Sequence, residues 1–364
     1  MKADLGADEL RAHLLKASPW IDVRAPIEFA QGHLPGAHNL PLLTDLERHE
    51  IGTVYKNEGS QAAIQLGYKL VADEIKNQRV NAWREQATQA PESAIYCFRG
   101  GMRSHISQQW LKEAGICLPL LGEGYKGARQ FLMRETEALS TRSRFLTIAG
   151  FTGSGKTRLL NAAAKFRPAI DLEGLANHRG SAFGKMSSPQ PAQAMFENDL
   201  AVHLMRSENP NAPVLLEDES RSIGHCALPA TFFNALTTAP LICITESVAS
   251  RTNEIFNDYV VASALSSTQR EAGQGVFTDF KRAIMAIGKR LGGARAHELL
   301  NEIEACEKVF LATGGLEDNR GWIEKLLVHY YDPLYDQHLQ RRESTIIYKG
   351  GFQDCLEYLR LNSL

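Results

Sequence analysis

Short apolar runs that end in polar or glycine-rich turns recur along the chain. Their length and apolar character are typical of buried strands. The segments between the runs are long enough to hold helices, which predicts an α/β protein with parallel sheets. The runs lie at residues 20–24, 94–96, 145–149, 214–220 and 241–245.

The first distinctive motif follows one of these runs. Residues 94–96 lead directly into Cys97, and two glycines and two arginines follow within six residues. A thiol in such a turn can lie among backbone N–H groups, which bind anions and favour the thiolate. We therefore interpret Cys97 as a nucleophile for a ligand bound as an anion, although free cysteines are also common in protein cores. The residues expected to hold that anion are Arg99, Gly100, Gly101, Arg103 and Ser104.

The second motif is Gly-Phe-Thr-Gly-Ser-Gly-Lys-Thr at residues 150–157, directly after the run 145–149. A glycine-rich loop that ends in Lys-Thr, between a strand and a helix, is the P-loop pattern. Backbone N–H groups hold phosphate oxygens, Lys156 reaches the terminal phosphate, and the Thr157 hydroxyl can ligate Mg²⁺. The predicted phosphate-binding residues are Gly150, Thr152, Gly153, Ser154, Gly155, Lys156 and Thr157.

The run at 214–220 ends in acidic residues, as the second metal-side strand of a P-loop protein would. Its candidate ligands are Glu217 and Asp218, and we expect Asp218 to share Mg²⁺ with Thr157. A solvated acidic turn is the alternative. The guanine motif Asn-Lys-x-Asp does not occur in the sequence, which disfavours a GTPase. We expect no tightly bound cofactor beyond this Mg²⁺.

Composition limits the compartment and the partners. The chain has 364 residues, a net charge of −2, and six cysteines without CxxC or Cys/His spacing, which argues against a zinc site or a disulfide framework. Apolar runs stay well short of the roughly 18 residues of a membrane span, and the charged residues after Met1 are unlike a signal peptide. We therefore expect a cytoplasmic protein without a membrane partner. Any nucleic acid must bind a local basic patch.

The two motifs lie in different parts of the chain and predict two domains. We assign residues 1–135 to the first domain and 145–364, with a C-terminal helical region, to the second. The segment 136–144 is polar and lacks an apolar face, so it is predicted as a linker.

The first domain resembles the rhodanese-type sulfurtransferases. The matching motifs are Ile21–Phe29, Gly32–His38 and Leu121–Gly127, together with the Cys97 loop. The loop from Cys97 to Arg103 is one residue longer than in most sulfurtransferases of this fold and resembles the phosphatase members, although Tyr96 stands where tyrosine phosphatases carry a histidine. A Cys-dependent phosphatase or sulfurtransferase fused to an ATP-binding, kinase-like domain is therefore an alternative. A regulatory module with an ATP switch is another.

Taken with its second domain, the chain resembles the bacterial tRNA 2-selenouridine synthases. The resemblance rests on the tandem order of the domains and on two polar segments, 171–181 and 216–221. It implies a rhodanese-like domain followed by a P-loop NTPase-like parallel α/β domain. It also implies that wobble 2-thiouridine is geranylated from geranyl diphosphate, and that selenium from selenophosphate then displaces the S-geranyl group, with a selenylated Cys97 as intermediate.

Chemistry assigns the two implied substrates to the two sites. A diphosphate carries the oxygens that a P-loop holds in a nucleotide, so we expect the P-loop to bind geranyl diphosphate rather than ATP. Selenophosphate is a tetrahedral anion, which suits the longer Cys97 loop. The implied partners are the anticodon loop of tRNA and selenophosphate synthase. For the tRNA contact we select a basic cluster on one predicted helix, although a solvated helix face explains it equally well. Its members are Lys281, Arg282, Lys289 and Arg290.

Overall fold

The chain folds into two compact units. A computed structural model describes residues 4–181, 183, 188–262 and 270–362. The first unit consists of Met1–Leu139 and Pro191–Arg206, and the second of Ser140–Gln190 and Ser207–Leu364. Each unit contains a parallel sheet and helices, which confirms the predicted α/β class.

The first unit contains three parallel strands, β1 (Trp20–Asp22), β2 (Ala37–Asn39) and β3 (Ala94–Tyr96). In the sheet they lie in the order β2-β1-β3. Ile21 of β1 pairs with His38 of β2 on one side and with Ile95 of β3 on the other. All residues of β1 and β3 are buried, as expected for a parallel sheet covered on both faces. Strands β1 and β3 were predicted. Strand β2 was missed because it lies among residues that are typical of turns.

Helices supply most of the first core. Trp83 and Trp110, whose ring centroids are 6.3 Å apart, pack with Ile21 and Ile95 of the sheet. Large apolar side chains buried in this way each stabilise the fold by about 1.5–3 kcal/mol. The helices are Ala7–Leu15, Pro26–Ala30, Asp45–Glu58, Ser60–Leu70, Asp73–Gln89, Met102–Glu113, Gly124–Arg142 and Gln193–Ser207.

A buried ion pair fixes the end of β1. Arg24 donates to both carboxylate oxygens of Asp22 at 2.6–3.0 Å and to the Gly32 carbonyl at 2.8 Å. Its guanidinium also lies 4.1 Å from the centre of the Tyr125 ring. These contacts are needed because a buried charge without a partner costs several kcal/mol.

The segment 136–144, predicted as a linker, is mostly helical. The helix Gly124–Arg142 continues through it, and the side chains of Thr136, Leu139 and Ser140 are buried. Its helical structure was not predicted, because a helix that buries small polar side chains shows no apolar face in its sequence. The boundary between the two units falls after Leu139.

A second difference concerns residues 191–206, which belong to the first unit although they lie within the sequence assigned to the second domain. Asn198 donates to the His33 carbonyl at 2.8 Å and accepts from Arg129 at 2.9 Å. Arg206 donates to the Leu14 carbonyl at 2.7 Å. An amphipathic pattern predicts that a helix is buried on one face, but not which core it joins.

Asp199 of this helix gives a prediction about stability. Burial raises the pKa of its carboxyl group to about 6, and Arg206 lowers it only in part. As the pH rises from about 4 to 6, the unfolded chain loses this proton before the folded one, so the protonated carboxyl's contribution to stability is lost in that window. An asparagine avoids the cost of burying the ionised carboxylate, so we expect Asp199→Asn to increase the free energy of unfolding, and to do so more at pH 7.5 than at pH 4. The difference between the two pH values should be about 1–2 kcal/mol, a figure reduced because the side chain is partly exposed. Urea unfolding at both pH values measures this, and an equal effect at both would contradict it.

The second unit contains a five-stranded parallel sheet. Its strands are β4 (Phe145–Gly150), β5 (Ala169–Ile170), β6 (Val214–Glu217), β9 (Leu241–Ile244) and β10 (Ile346–Gly350). In the sheet they lie in the order β10-β9-β4-β6-β5. The central strand β4 is buried along its whole length. The predicted strands β4, β6 and β9 are confirmed, whereas β10 was missed because it is an edge strand whose residues are only half-buried or exposed. A separate small antiparallel hairpin is formed by β7 (Ser222–Ile223) and β8 (Cys226–Ala227).

A separate helical core lies within the second unit. Phe277, Phe280, Ile284 and Trp322 are among its buried members. Residues Phe256–Val261 and Leu327–Tyr331 are wider π-helical turns. The α-helices are Lys156–Ala163, Leu172–Leu175, Ala230–Thr238, Val248–Ile255, Arg270–Leu291, Gly293–Thr313, Asn319–Leu326, Asp332–Arg342 and Phe352–Leu361.

Across the described ranges, helices that combine the length and the apolar character needed to cross a membrane do not occur.

Candidate active sites

The sulfur of Cys97 is buried in the loop that follows β3. The Gly101 N–H donates to Sγ at 3.3 Å, and the Ser104 hydroxyl lies 3.2 Å from the same atom. The Gly101 N–H can stabilise negative charge that develops on sulfur. The Ser104 hydroxyl, which donates to the Gly101 carbonyl at 3.0 Å, can add to this only when its proton turns toward the sulfur. The strand therefore delivers the thiol to a position suited to nucleophilic attack.

The same loop offers further backbone donors. Within the part of the chain that the structure describes, the N–H groups of residues 98–100, 102 and 103 have no protein acceptor. The helix Met102–Glu113 begins at this point, and free N–H groups at a helix N-terminus bind anions. The loop can therefore bind a tetrahedral anion beside the sulfur.

Two glycines bring the neighbouring segment against the loop. Gly100 has a φ of +64°, and a Cβ there would overlap the Gly122 carbonyl. Gly124 has a φ of +61°, and a Cβ there would overlap the backbone of the Cys97 loop. The Tyr125 N–H then donates to the Cys97 carbonyl at 2.8 Å. The glycine-rich motif at residues 121–127 therefore shapes the loop.

The glycine contacts predict a large effect of a single methyl group. We expect Gly100→Ala to lower the free energy of unfolding by about 2–4 kcal/mol, because it adds left-handed strain to the overlap with Gly122. Gly101→Ala is the matched control, since a Cβ there meets nothing within 4 Å. Urea unfolding of both variants tests this, and equal losses would contradict the assigned role of Gly100.

The two arginines of the loop have different environments. Arg103 makes two hydrogen bonds to the Glu28 carboxylate, at 2.6 and 3.1 Å. Burial raises the pKa of Glu28, but the bonds and charge of Arg103 and the charge of Arg48 outweigh it and leave the pKa lowered. Arg99 is exposed and, among the described residues, makes no ion pair. Arg103 therefore fastens the loop to the helix Pro26–Ala30, a role that sequence reasoning missed.

The P-loop lies between β4 and the helix Lys156–Ala163. Gly153 and Gly155 have φ values of +81° and +84°, which favour glycine. The Ser154 hydroxyl is buried and has no hydrogen-bond partner in the described ranges. Buried polar atoms are nearly always satisfied, so this hydroxyl fits a loop whose missing partner is a phosphate oxygen.

Tyr335 completes the P-loop from a distant part of the chain. The Gly150 N–H donates to its hydroxyl at 3.0 Å. Lys156 Nζ lies 5.3 Å from the centre of its ring and donates to the Gly150 carbonyl at 2.9 Å. Burial raises the pKa of Tyr335 well above its usual value, so the phenol remains neutral. Sequence reasoning missed this contact, which joins residues 185 positions apart.

Two carboxyl groups lie beside Thr157, the predicted candidate Glu217 and also Glu173, whereas Asp218 has other partners. The Thr157 hydroxyl donates to Glu173 at 3.2 Å. Asp218 is instead paired with Arg342, and it lies 2.8 Å from Nε2 of His338. Asp218 is buried and needs these partners, because an unpaired charge there would be costly. Glu173 therefore joins Glu217 as a candidate metal-side carboxylate, in place of Asp218.

Several acidic groups near the P-loop hold protons more tightly than usual. Burial raises the pKa of Glu173, and burial together with neighbouring carboxylates raises that of Glu217 well above its usual value. The same two causes raise the pKa of Glu219 to about 8. With a pKa of about 8, Glu219 is largely protonated at neutral pH and repels a bound diphosphate less than a carboxylate would. The acidic surroundings are therefore compatible with an anionic ligand.

The P-loop opens into a cavity of about 980 Å³. This volume is in the range of sites for small organic ligands. The lining combines the polar P-loop with His338 and Arg290, and adds an aromatic and aliphatic set. That apolar set is Ile255, Tyr259, Ile287, Tyr330, Tyr331 and Leu334. The cavity can therefore hold a ligand with both a phosphate group and an apolar part.

The predicted basic cluster is divided by its ion pairs. Lys281 is bonded to Glu307 at 2.8 Å, and Arg282 to Asp279 at 2.7 Å. Lys289 and Arg290 are exposed and form no ion pair with any described residue. Arg290 also lines the P-loop cavity. Only the last two residues of the cluster therefore offer free positive charge.

The fold and the two sites define a class of protein in which a cysteine-bearing domain precedes a P-loop domain. The rhodanese-like domain model matches residues 6–127, and the model of the tRNA 2-selenouridine synthase AAA domain matches residues 143–363. The chain belongs to the tRNA 2-selenouridine synthase family.

Full-length relatives support this assignment. The chain is 44% identical to the tRNA 2-selenouridine synthase of Nitrosomonas europaea, over 98% of both chains. It is 44% identical to that of Bdellovibrio bacteriovorus over 94% of both chains, and 42% identical to that of Pseudomonas fluorescens over 99% of both.

Proposed function

We propose that this protein converts 2-thiouridine at the wobble position of tRNA into 2-selenouridine. The observation that carries the proposal is that one chain of this family contains both a cysteine in an N–H-rich loop and a P-loop cavity with an apolar lining. The first suits selenophosphate and the second suits geranyl diphosphate.

The first step is transfer of the geranyl group. The thiocarbonyl sulfur attacks C1 of geranyl diphosphate, the C1–O bond breaks, and diphosphate leaves with the bonding electrons. The N3 proton of the base is lost at the same time. Lys156 and the P-loop N–H groups stabilise the leaving diphosphate. His338, which lines the cavity and is held by Asp218, is our candidate to accept the proton.

The second step exchanges sulfur for selenium at C2 of the base. Selenophosphate, water and the S-geranyl base give 2-selenouridine, geranylthiol and phosphate. The exchange balances without an oxidant or reductant, because selenium in selenophosphate is already fully reduced and the S-geranyl group leaves with the C2–S electrons. Alkylation is needed because it turns the sulfur into a better leaving group.

Cys97 is the nucleophile that breaks the P–Se bond. Attack on phosphorus gives a cysteine phosphate and free selenide; the selenide displaces geranylthiolate at C2, and water then releases phosphate, in agreement with the balance above. A selenylated Cys97 instead requires attack on selenium, with phosphorus leaving as phosphite, and a second thiol must then cleave the S–Se bond and supply two electrons. Phosphorus-31 NMR of the products distinguishes the two: phosphate in step with selenation supports the redox-neutral route, and phosphite formed only with an added thiol supports the selenylated cysteine.

Mg²⁺ fits the P-loop with one change from the sequence prediction. The Thr157 hydroxyl and the Glu173 carboxylate are oxygen ligands of the kind Mg²⁺ prefers, and they lie 3.2 Å apart. When bound, the ion would neutralise charge on the diphosphate. Asp218 is less suited to this role, because Arg342 already balances its charge.

The partners follow from the reaction. We propose that the anticodon loop of tRNA binds, with Lys289 and Arg290 as first candidates for phosphate contacts, and that selenophosphate synthase supplies the selenium donor. We place the reaction in the cytoplasm, where thiols stay reduced.

Nucleoside analysis tests the proposal. tRNA that contains 2-thiouridine is incubated with the protein, geranyl diphosphate and selenophosphate, then digested and examined by mass spectrometry. We expect 2-selenouridine with both donors, S-geranyl-2-thiouridine without selenophosphate, and neither product without geranyl diphosphate. Selenouridine formed without geranyl diphosphate would overturn the two-step route.

A further inference from the structure

A narrow apolar crevice of about 30 Å³ opens beside the P-loop cavity. Thr152 of the P-loop lines both spaces, as do Ile255, Tyr259 and Tyr331. The crevice therefore adjoins the cavity into which the P-loop opens.

The deeper part of the crevice is formed by the helical core. Phe280 and Trp322 line it, with ring centroids 5.3 Å apart, together with Leu326 and Leu327. The Trp322 indole N–H donates to Asn319 at 2.8 Å, so this polar atom is already satisfied within the protein. The aromatic carbons and the leucines leave an apolar surface.

We propose that this crevice holds the distal end of the isoprenoid chain of the diphosphate donor. The inference rests on the proposed function, since it names the tail site of the ligand whose diphosphate the P-loop holds. A nucleotide base would need polar partners at this point. Among the described lining residues, the Tyr259 hydroxyl already contacts Ser181 at 3.4 Å, so an apolar tail fits the crevice better.

The size of the crevice limits how much of the tail can enter it. A volume of 30 Å³ accommodates about two or three water-sized groups, which matches the branched end of one isoprene unit. The first isoprene unit lies along the apolar lining of the main cavity, at Ile255, Tyr330 and Leu334. On this proposal the crevice has no room for a further isoprene unit, and Phe280 and Trp322 limit entry of a longer tail.

Titration calorimetry on the full chain tests the proposal, with inorganic diphosphate, geranyl diphosphate and farnesyl diphosphate as ligands. We expect geranyl diphosphate to bind at least about 100-fold more tightly than inorganic diphosphate, because the tail buries several methylene groups. Phe280→Leu enlarges the inner end, so we expect it to shift the preference from geranyl toward farnesyl diphosphate by about tenfold.

Phe277→Leu is the matched control. Phe277 is buried one helical turn away in the same core and lines neither cavity in the described ranges, so its loss should leave the ligand preference unchanged. If both variants show the same geranyl-to-farnesyl ratio while geranyl diphosphate still binds, the tail site is wrong and the proposed function stands. If geranyl diphosphate does not bind the unmodified protein, both are overturned.

Discussion

Replacement of Cys97 by serine should stop selenium incorporation and leave geranyl transfer intact. We expect the rate of 2-selenouridine formation to fall by at least about 1,000-fold, because a serine hydroxyl is a far weaker nucleophile than a thiolate. The hydroxyl is close to the sulfur in size, so the loop contacts from Gly101 and Ser104 should persist. Mass spectrometry of nucleosides should then show S-geranyl-2-thiouridine accumulating in place of the selenated product.

Cys117→Ser is the control for this experiment. Cys117 is also a free cysteine of the first unit, but it is exposed and lies outside the loop. We expect this variant to form 2-selenouridine at the unmodified rate. Selenation that survives in Cys97→Ser, or falls equally in both variants, would remove Cys97 from the mechanism.

Replacement of Lys156 by alanine should have the opposite pattern. We expect geranyl transfer to fall by about 100–1,000-fold, because the leaving diphosphate loses a charged hydrogen-bond donor in a partly enclosed site. Lys156 is bonded to the Gly150 carbonyl within the P-loop, so its removal also takes away one internal contact. Thermal unfolding of the variant shows whether the loss is confined to chemistry.

Lys165→Ala provides the comparison, because Lys165 is exposed and follows the helix of the P-loop. The same overall charge is removed, but not from the phosphate site. We expect geranyl transfer by this variant to stay within about twofold of normal. If Lys156→Ala also transfers geranyl groups normally, the P-loop does not hold the donor.

The parts of the sites that were predicted are those that a continuous stretch of sequence encodes. The Cys97 loop and the P-loop each follow a buried strand and precede a helix, so strand, turn and helix signals agree locally. Local agreement of this kind makes a motif readable without a structure.

The parts that were missed depend on contacts between distant residues. Tyr335 meets Gly150 across 185 positions, and Arg342 meets Asp218 across 124. Neither pairing affects the local pattern of apolar and polar residues. The sequence around an acidic residue at a strand end does not show whether its carboxylate binds a metal or an arginine. The assignment of residues 191–206 to the first unit was hidden for the same reason.

The central claim is that the cysteine loop and the P-loop carry out successive steps on one base. It is tested most directly by passing tRNA between two inactive variants. Thiouridine-bearing tRNA is geranylated by Cys97→Ser, purified, and given to Lys156→Ala with selenophosphate alone. We predict that 2-selenouridine and geranylthiol form, although neither variant makes selenouridine by itself. Geranylated tRNA that Lys156→Ala leaves unchanged would contradict the division of labour between the two sites.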